Sequence, residues 1–253
     1  MDFCQVLGLE IAVADMKGAV DWVCTGLDEL RGKYITFANT HAVVMAHDSK
    51  KYYKVQNAAS RVFADGNPIA VYERRKGFSK AERVAGPDFM TEIFRVSAKK
   101  GYRHYFYGSS EATLRKLEKR LKECYPGIEI VGVYSPPYES KIKKDYQQDV
   151  DRINRANADF IWIGLGAPKQ ELWMYQQKGK VNGVMLGVGA GFDFHAGVVK
   201  RAPEWMQKCG LEWFYRLLQE PGRLGKRYLN TNLRFIRLCM LERKNKKVNQ
   251  TGK

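Results

Sequence analysis

Short apolar and aromatic runs alternate with segments of helical spacing, and this alternation constrains the fold more than any other feature of the chain. The apolar runs predict strands at 33–38, 62–64, 104–107, 129–134, 160–164 and 184–187. Between them, Leu114, Leu117 and Leu121 recur at helical spacing, and residues 145–156 form a second, polar segment of helical character. Strands that alternate with helices are typical of βαβ units. The sequence therefore predicts an α/β fold with a mainly parallel sheet and helices on both faces.

The chain is organised as one core followed by a basic arm. Its 253 residues are 45% hydrophobic, which excludes the disordered, low-hydrophobicity class and suits a single large core. Near residues 200–203 the glycine-rich core gives way to a region rich in Trp and Arg. We predict an α/β catalytic core at 1–200, a helical C-terminal appendage at 201–241 and a disordered basic tail at 242–253.

Positive charge is concentrated in that arm. Residues 200–253 hold 14 Lys and Arg against 4 Asp and Glu, so +10 of the formal net charge of +16 lies there. Clustered cations attract phosphate groups, nucleic acid or anionic lipid. The arm therefore predicts an anionic partner and leaves its class open.

Cysteine usage and the N-terminal segment favour a cytoplasmic protein. The five cysteines are odd in number and widely spaced, without the spacing of a metal site, which is typical of reduced intracellular thiols. The first 20 residues lack the charged and apolar regions of a signal peptide. No stretch reaches the roughly 18 apolar residues that span a bilayer. We expect a protein that is neither secreted nor membrane-spanning.

Three of the predicted strands end in loops of glycine and other small residues, at 107–110, 164–170 and 187–191. Glycine lets backbone N–H groups approach a ligand closely, and a helix N-terminus adds donors that favour anions. Such loops meet at one edge of a parallel sheet, where open α/β proteins bind ligands. Glycine also ends strands for purely structural reasons, so each loop alone is ambiguous. Neither a Walker sequence nor a full G-x-G-x-x-G fingerprint is present.

Two residues that follow apolar runs are candidates for acid–base chemistry. Asp65 comes directly after the 62–64 run, where a carboxylate can accept a proton from a substrate hydroxyl. The alternative is that Asp-Gly is simply a turn. His195 lies beside Asp193 in a similar position, and its alternative is a hydrogen-bonded core histidine.

The chain contains one Asp-x-Asp pair, at Asp149 and Asp151. Such pairs can bind a metal that bridges a nucleotide diphosphate. Arg152 and Arg155 lie nearby in a polar helical stretch, which favours a solvated helix face instead. We therefore predict no metal ion. For a substrate from which a diphosphate departs, arginines and backbone N–H donors would neutralise the charge of that group instead.

Several blocks together resemble one family. They lie between residues 35 and 241 and comprise NTHAVV, ADGNPIA, ERVAGPDFM, YGSSEAT, GLGAPKQE, GVGAGFDFHAG and KRAPEWMQKCGLEWFYRLLQEPGRLGKRY. The chain resembles the WecG/TagA/CpsF group, glycosyltransferase family 26. The resemblance implies a Rossmann-like core and inverting, cofactor-free and metal-independent transfer of a sugar from a UDP-sugar to an undecaprenyl-diphosphate-linked sugar of the GlcNAc type. It implies a role in bacterial surface polysaccharide or teichoic acid synthesis, and leaves open whether N-acetylmannosamine, its uronic acid or a hexose is transferred.

The resemblance also assigns roles to individual residues. Asp65 corresponds to the general base for the acceptor hydroxyl. The donor and acceptor sites are assigned to Asn39, Thr40, Arg83, Gly108, Gly166, Gln170, Gly189 and Asp193. Phe37 departs from the family pattern, which often has a hydroxyl residue two positions before Asn39, so donor or acceptor preference is expected to differ.

The arm combines an apolar stripe with a basic band. Leu229, Leu233, Ile236 and Met240 are spaced four, three and four residues apart, with Arg227, Arg234 and Arg237 to one side. This pattern is typical of a helix that lies in an anionic membrane surface, and the alternative is a helix docked on the protein's own core. An arm that closes over the core would also bring Arg216, Arg223 and Arg227 to the diphosphate groups.

The expected partners are therefore a UDP-sugar donor, a polyprenyl-diphosphate-linked acceptor and the inner face of the cell membrane, where the protein would be peripheral. Relatives make self-association an expectation, while no nucleic-acid partner is predicted. Two other classes of protein are alternatives. Against a basic nucleic-acid-binding protein, the sequence contains no recognisable nucleic-acid-binding motif. Against a nicotinamide-dependent oxidoreductase, it lacks the full dinucleotide-binding fingerprint.

Overall fold

The computed structural model describes residues 1–137 and 145–251, and at positions 204, 208, 223–224, 226–229 and 245–251 it describes the backbone alone. The described residues form an eight-stranded sheet. Its strands are β1 (Phe3–Val6), β2 (Leu9–Ala12), β3 (Tyr34–Ala38), β4 (Arg61–Ala64), β5 (Arg103–Gly108), β6 (Glu129–Tyr134), β7 (Phe160–Gly164) and β8 (Val184–Gly187). Their order is β1-β2-β4-β3-β8-β7-β5-β6, and every neighbouring pair is parallel except β1 with β2.

Helices follow most strands and cover both faces of the sheet. They are α1 (Met16–Thr25), α2 (Leu27–Leu30), α3 (Thr40–Asp48), α4 (Lys50–Asn57), α5 (Asn67–Arg75), α6 (Gly86–Lys100), α7 (Glu111–Cys124), α8 (Gln147–Ala156), α9 (Lys169–Gln177), α10 (Gly191–His195), α11 (Glu204–Lys208), α12 (Glu212–Gln219) and α13 (Pro221–Thr251). The predicted α/β class, with a mainly parallel sheet, is confirmed.

Alternation along the central strands divides the core into two layers. In β7, Phe160 and Trp162 pack with α6 and α7 on one face, while Ile161 and Ile163 pack with α8 and α9 on the other. All four side chains are fully buried. Strands covered on both faces are continuous apolar runs, and this is why the sequence pattern located them.

The N-terminal hairpin was not predicted. β1 pairs antiparallel with β2 across a turn at Leu7 and Gly8, which both have positive φ. Cys4 and Val6 are buried while their neighbours face solvent, so a period-two signal was present but short. Leu-Gly is also an uncommon hairpin turn, because type I′ turns favour Asn or Asp before Gly.

Four parallel strands, β3, β4, β7 and β8, end side by side at the carboxyl edge of the sheet. Their following loops begin α3, α5, α9 and α10, whose N-termini therefore all lie at that edge. Ligands of open α/β sheets bind in the crevice outside the carboxyl ends of the strands. The fold thus gathers the predicted site segments at one place.

After residue 200 the chain forms α11, α12 and α13, and α13 docks on the core. Phe235 is only 5% exposed and packs into the cluster that contains α3 and α5 residues, next to Leu238 and Cys239. The helix continues through residue 251, and the predicted division into core, appendage and disordered tail at 242–253 stays a prediction. Residues 242–251 contain neither Gly nor Pro and are rich in Glu, Lys, Arg and Gln, which have good helix propensity.

Candidate functional site

A cleft of about 730 Å³ lies at the carboxyl edge of the sheet, between the core and α12. The cleft contains most of the predicted site residues. Those that line it are Asn39, Thr40, Asp65, Arg83, Gly166, Gln170, Gly189, Asp193 and Arg216. Residues that are far apart in sequence therefore converge as the sequence analysis expected.

Asp65 lies in this cleft immediately after β4. Its backbone N–H donates to the carbonyl of Ala38 at 2.9 Å, which continues the β3–β4 pairing and fixes the start of the loop. Burial is the main cause that raises the pKa of the Asp65 carboxyl to about 7; the carboxylates of Glu212 and Asp88 add to this effect, and Arg83 and Arg201 oppose it. A carboxyl group with a pKa near neutrality is suited to accept a proton at physiological pH.

Four charged side chains beside Asp65 form a network that ties the arm to the core. Arg83 contacts Asp88 at 3.2 Å and Glu212 at 2.5 Å. Arg201 contacts Glu212 at 3.1 Å and binds both carboxylate oxygens of Asp88, one of them at 2.8 Å. Arg83 also donates to the Asp65 carbonyl at 3.4 Å. Each carboxylate is shared by two guanidinium groups, so α12 is held against the N-terminus of α6.

Asn39 and Thr40 start α3 at the edge of the cleft. The Asn39 side-chain oxygen accepts from the N–H groups of His41 and Ala42 at 3.0 and 3.1 Å, so it caps the helix. The Thr40 hydroxyl donates to the side-chain oxygen of Asn232 in α13 at 2.9 Å. Both residues line the cleft, and Thr40 additionally joins α13 to it.

The glycines of the three loops differ in role: some line the cleft, and others allow two strand ends to pack closely. Gly166 and Gly189 line it with φ of +76° and +51°, and a Cβ at Gly166 would meet nothing within 4 Å. Gly108 is not among the lining residues. A Cβ there would lie 2.7 Å from the Gly164 carbonyl carbon, so Gly108 permits the close approach of the two strand ends. Ser109, the next residue, lines the cleft in its place.

Gln170 and Glu171, in the first turn of α9, form a buried polar pair at the base of the cleft. The Gln170 side-chain amide donates to Glu171 at 2.9 Å. The Gln170 oxygen is buried and has no hydrogen-bond partner among the described residues. Burial raises the pKa of Glu171 to about 7, against the bond from Gln170. The Gln170 oxygen lies beneath the Gly189 loop, since a Cβ at Gly189 would be 3.5 Å from it.

Asp193 and Arg216 complete the wall formed by α10 and α12. The Asp193 carbonyl accepts from the N–H groups of Val198 and Val199, which turns the chain back toward the arm. The Arg216 guanidinium lies 5.2 Å from the centre of the Phe194 ring, within cation–π range. The side chains of Arg223 and Arg227 lie outside the described residues, so their predicted roles stay predictions.

The other candidate acid–base and metal-binding residues make contacts within the protein that are typical of structural residues. His195 is paired with the Pro87 carbonyl at 3.1 Å and packs against Phe94, as its core alternative predicted. Asp149 accepts from the Tyr107 hydroxyl at 2.6 Å, while Asp151 accepts from an amide on the exposed side of α8. Within residues 1–137 and 145–251, no cluster of three His, Cys, Asp or Glu is arranged to hold a metal ion. Metal independence stays a prediction.

Several residues of the cleft were missed by the sequence analysis. They are Asn67, Ser109, Glu171, Phe194, Glu212, Trp213 and Asn232. Asn67, Ser109, Glu171 and Phe194 lie within the quoted blocks, as do Glu212 and Trp213 in the last of them, but no local pattern singled these residues out. Asn232 lies outside the blocks, and the docking of α12 and α13 brings Glu212 and Asn232 to the site.

Fold and cleft together define a Rossmann-like α/β enzyme. The carboxyl edge of its sheet combines Asp65, a carboxyl group of raised pKa, with glycine loops and arginines. Residues 4–249 match the family model described as the WecG/TagA/CpsF family of glycosyl transferases. The chain belongs to this family and is a glycosyltransferase.

Two relatives carry the same description, N-acetylglucosaminyldiphosphoundecaprenol N-acetyl-beta-D-mannosaminyltransferase. The protein of Bacillus spizizenii is 31% identical over 229 residues, which cover 90% of this chain and 87% of the relative. The protein of Bacillus subtilis is 32% identical over 222 residues, which cover 87% of this chain and 84% of the relative. The similarity therefore extends over core and arm alike.

Proposed function

We propose that this glycosyltransferase moves N-acetylmannosamine from a UDP-sugar to an undecaprenyl-diphosphate-linked N-acetylglucosamine during synthesis of a bacterial surface polymer. The donor sugar and the acceptor follow from the descriptions of the two relatives, which share most of their length with this chain. The observation that carries the proposal is Asp65, a carboxyl group with a pKa near 7 in a cleft lined by glycine loops and Arg216.

The proposed chemistry is a single displacement with inversion. The acceptor hydroxyl oxygen attacks the anomeric carbon of the donor, and its proton passes to Asp65. The bond between that carbon and the diphosphate oxygen breaks, so UDP leaves with the electron pair. Asp65 must be ionised at the start of the step, and its pKa of about 7 meets that need near neutral pH.

Stabilisation of the departing UDP is assigned to positive groups of the chain. Arg216 lies in the cleft, and the loops that contain Gly166 and Gly189 bring backbone N–H donors to its edge. Preorganised donors and guanidinium groups stabilise developing negative charge. We therefore propose that turnover does not require a metal ion.

Contact with the membrane is assigned to the outer face of α13. Leu233, Ile236, Met240 and Leu241 are exposed there, and Arg237 lies among them. At about 100° per residue these positions lie opposite Phe235 and Leu238, which pack on the core. The inner face of α13 docks on the core, and we assign the membrane alternative to the outer face. No helix in the described part of the chain is long and apolar enough to cross a bilayer.

The test is an assay of the purified chain with a panel of UDP-sugars and a short-chain prenyl-diphospho-N-acetylglucosamine, with and without EDTA. We expect product with UDP-N-acetylmannosamine in both conditions. Product from none of the donors would contradict the proposed function. Product that disappears with EDTA and returns with a divalent ion would contradict metal independence alone.

A further inference from the structure

A second cavity, of about 420 Å³, adjoins the catalytic cleft along α3. Its walls come from α3, α4, the first turn of α9 and α13. His41 lines both the cleft and this cavity. Pro168 and Thr231 of the second cavity are also directly bonded in sequence to Ala167 and Asn232 of the cleft. The two spaces are therefore neighbours at the start of α3, where His41 and Thr231 contact each other at 3.4 Å between them.

The walls of the second cavity are largely apolar. Val44, Met45 and Leu172 contribute aliphatic surface, together with the ring of Tyr52. An apolar concave surface is suited to a hydrocarbon chain because the chain leaves water when it binds there.

The charged groups of the second cavity lie at the end that is farther from the cleft. Among the described residues that line it, Lys51 and Arg234 are cationic and Asp48 is acidic. Asp48 pairs with Arg234 at 2.6 Å, so Lys51 gives this lining a net positive charge. Asp48 and Lys51 lie at and just beyond the C-terminal end of α3, away from His41, so this charge suits the anionic lipid surface from which a lipid chain would enter.

The position of α13 links the second cavity to the exposed apolar face. At about 100° per residue, Asn230 and Arg234 lie on the helix between Leu233, which is exposed, and Phe235, which is buried. Asn230 and Arg234 line the second cavity. The cavity therefore lies beside the surface that we assign to the membrane, and its other end adjoins the cleft.

We propose that the second cavity holds the isoprenoid segment next to the diphosphate of the lipid-linked acceptor. The chain enters beside the exposed face of α13, passes Arg234 and Met45, and reaches His41, where the diphosphate and its sugar turn into the cleft. The proposal rests on the proposed function for the chemical class of the acceptor. It adds the path of the lipid and the residues that recognise it.

The kinetic test compares two acceptors with the same N-acetylglucosamine diphosphate, one on a three-isoprene chain and one on a methyl group. Leu172→Trp fills the cavity, and Met45→Asp places a charge in it. Val133→Trp, on the exposed edge strand β6, is the matched control. The measured quantity is the ratio of kcat/KM for the two acceptors, which cancels any general loss of activity.

We expect the wild type and the control to prefer the isoprenoid acceptor by about tenfold or more, since burying a few methylene groups gives that factor. Both cavity variants should lose most of this preference. A preference that is unchanged in both variants overturns the proposal, and so does a wild-type enzyme that does not distinguish the acceptors.

A second measurement uses the wild-type chain and does not require turnover. A short isoprenoid diphosphate with a diazirine on its first isoprene unit is photolysed with the protein, and the modified peptides are mapped. We expect labelling within 41–52, 168–172 or 230–234. Labelling confined to other surfaces overturns the proposal. If the transfer assay gives no product with any acceptor, the proposed function fails, and the labelling result still decides the inference about the second cavity.

Discussion

Asp65, the proposed general base, lowers the stability of the folded protein at neutral pH. Its pKa of about 7 in the folded protein lies above the ordinary value of 3.8, because burial favours the neutral form. The stability that this group contributes is therefore complete below about pH 4 and is lost as the pH rises through about 7. At neutral pH the folded protein holds a carboxylate that would be better solvated in the unfolded chain.

The first prediction follows from this burial. We expect Asp65→Asn to be more stable than the wild type at pH 8, by at most about 4 kcal/mol, because one pKa unit corresponds to about 1.4 kcal/mol. The advantage should shrink as the pH falls towards 4. Urea unfolding at several pH values measures both quantities. A variant that is less stable than the wild type at pH 8 would show that Asp65 is not strained by burial.

The second prediction concerns Glu171, which holds the amide of Gln170 at 2.9 Å. We infer that it is a positioning residue that holds the Gln170 amide beneath the Gly189 loop, which lines the cleft. Glu171→Ala should raise KM for the nucleotide-sugar by about tenfold with little change in kcat, the factor expected for one lost hydrogen bond. Glu171→Gln keeps an acceptor oxygen and should restore most of the affinity. Equal effects of Ala and Gln on KM, or a loss in kcat alone, would contradict this role.

At the scale of residues, the sequence was informative where chemistry and local pattern coincide. Asp65 could be found because it follows an apolar run directly, and Gly166 and Gly189 because they end predicted strands. Gly108 matched the same pattern but serves close packing against Gly164, which depends on the distance between two strands. Glu212 could not be found, since its role depends on where α12 docks.

The eight-residue helix α12 connects the arm to the core beside the separate docking of α13. Glu212 is its link to both Arg83 and Arg201, and these groups are largely shielded from water. Removing one partner from such a network leaves the other charges without compensation.

The third prediction tests this link. Glu212→Gln should increase amide hydrogen exchange within residues 212–219 and lower the free energy of unfolding by about 1–3 kcal/mol. The matched control is Glu118→Gln, which removes a carboxylate that pairs with Lys122 at 2.8 Å on the surface of α7. Such a surface pair contributes at most about 1 kcal/mol. Exchange in α12 that is the same in both variants would show that the network does not hold the arm.

The fourth prediction concerns the outer face of α13. Ile236→Ser with Met240→Ser removes two exposed apolar side chains, and binding to vesicles rich in anionic phospholipid should fall by about tenfold or more. Tyr53→Ser with Val133→Ser removes two exposed apolar groups elsewhere on the surface and is the matched control. Co-sedimentation measures the bound fraction. Equal binding of both double variants would remove the membrane role of this face.

At the scale of elements, the sequence predicted the helices and strands whose residue pattern follows directly from which of their side chains are buried. Five of the six predicted strands are buried on both faces, so their apolar runs were visible, while the partly buried edge strand β6 was found through its Ile, Val and Tyr residues. The β1–β2 hairpin was missed because β1 alternates buried and exposed residues over a short length and its Leu-Gly turn is not a favoured hairpin turn. For α13, periodicity identified the apolar stripe, but it could not show that a second face, with Phe235 and Leu238, packs on the core.

At the scale of the whole molecule, the arm completes a site that the sheet begins. The sheet edge supplies Asp65 and the glycine loops, while α12 and α13 supply Glu212, Arg216 and Asn232 to the same cleft. The excess positive charge of the arm lies on the segment that would meet anionic lipid and diphosphate. The arm therefore serves both the proposed membrane contact and the proposed chemistry.

The most direct test of the account is the pH dependence of kcat/KM for sugar transfer in EDTA, measured for the wild type and for Asp65→Asn. If Asp65 is the general base, the wild-type value rises with pH through about 7, because the carboxyl must be ionised. Asp65→Asn should be at least about 100-fold slower and lack this ionisation. A folded Asp65→Asn variant that keeps the wild-type rate and the same pH profile would contradict the account.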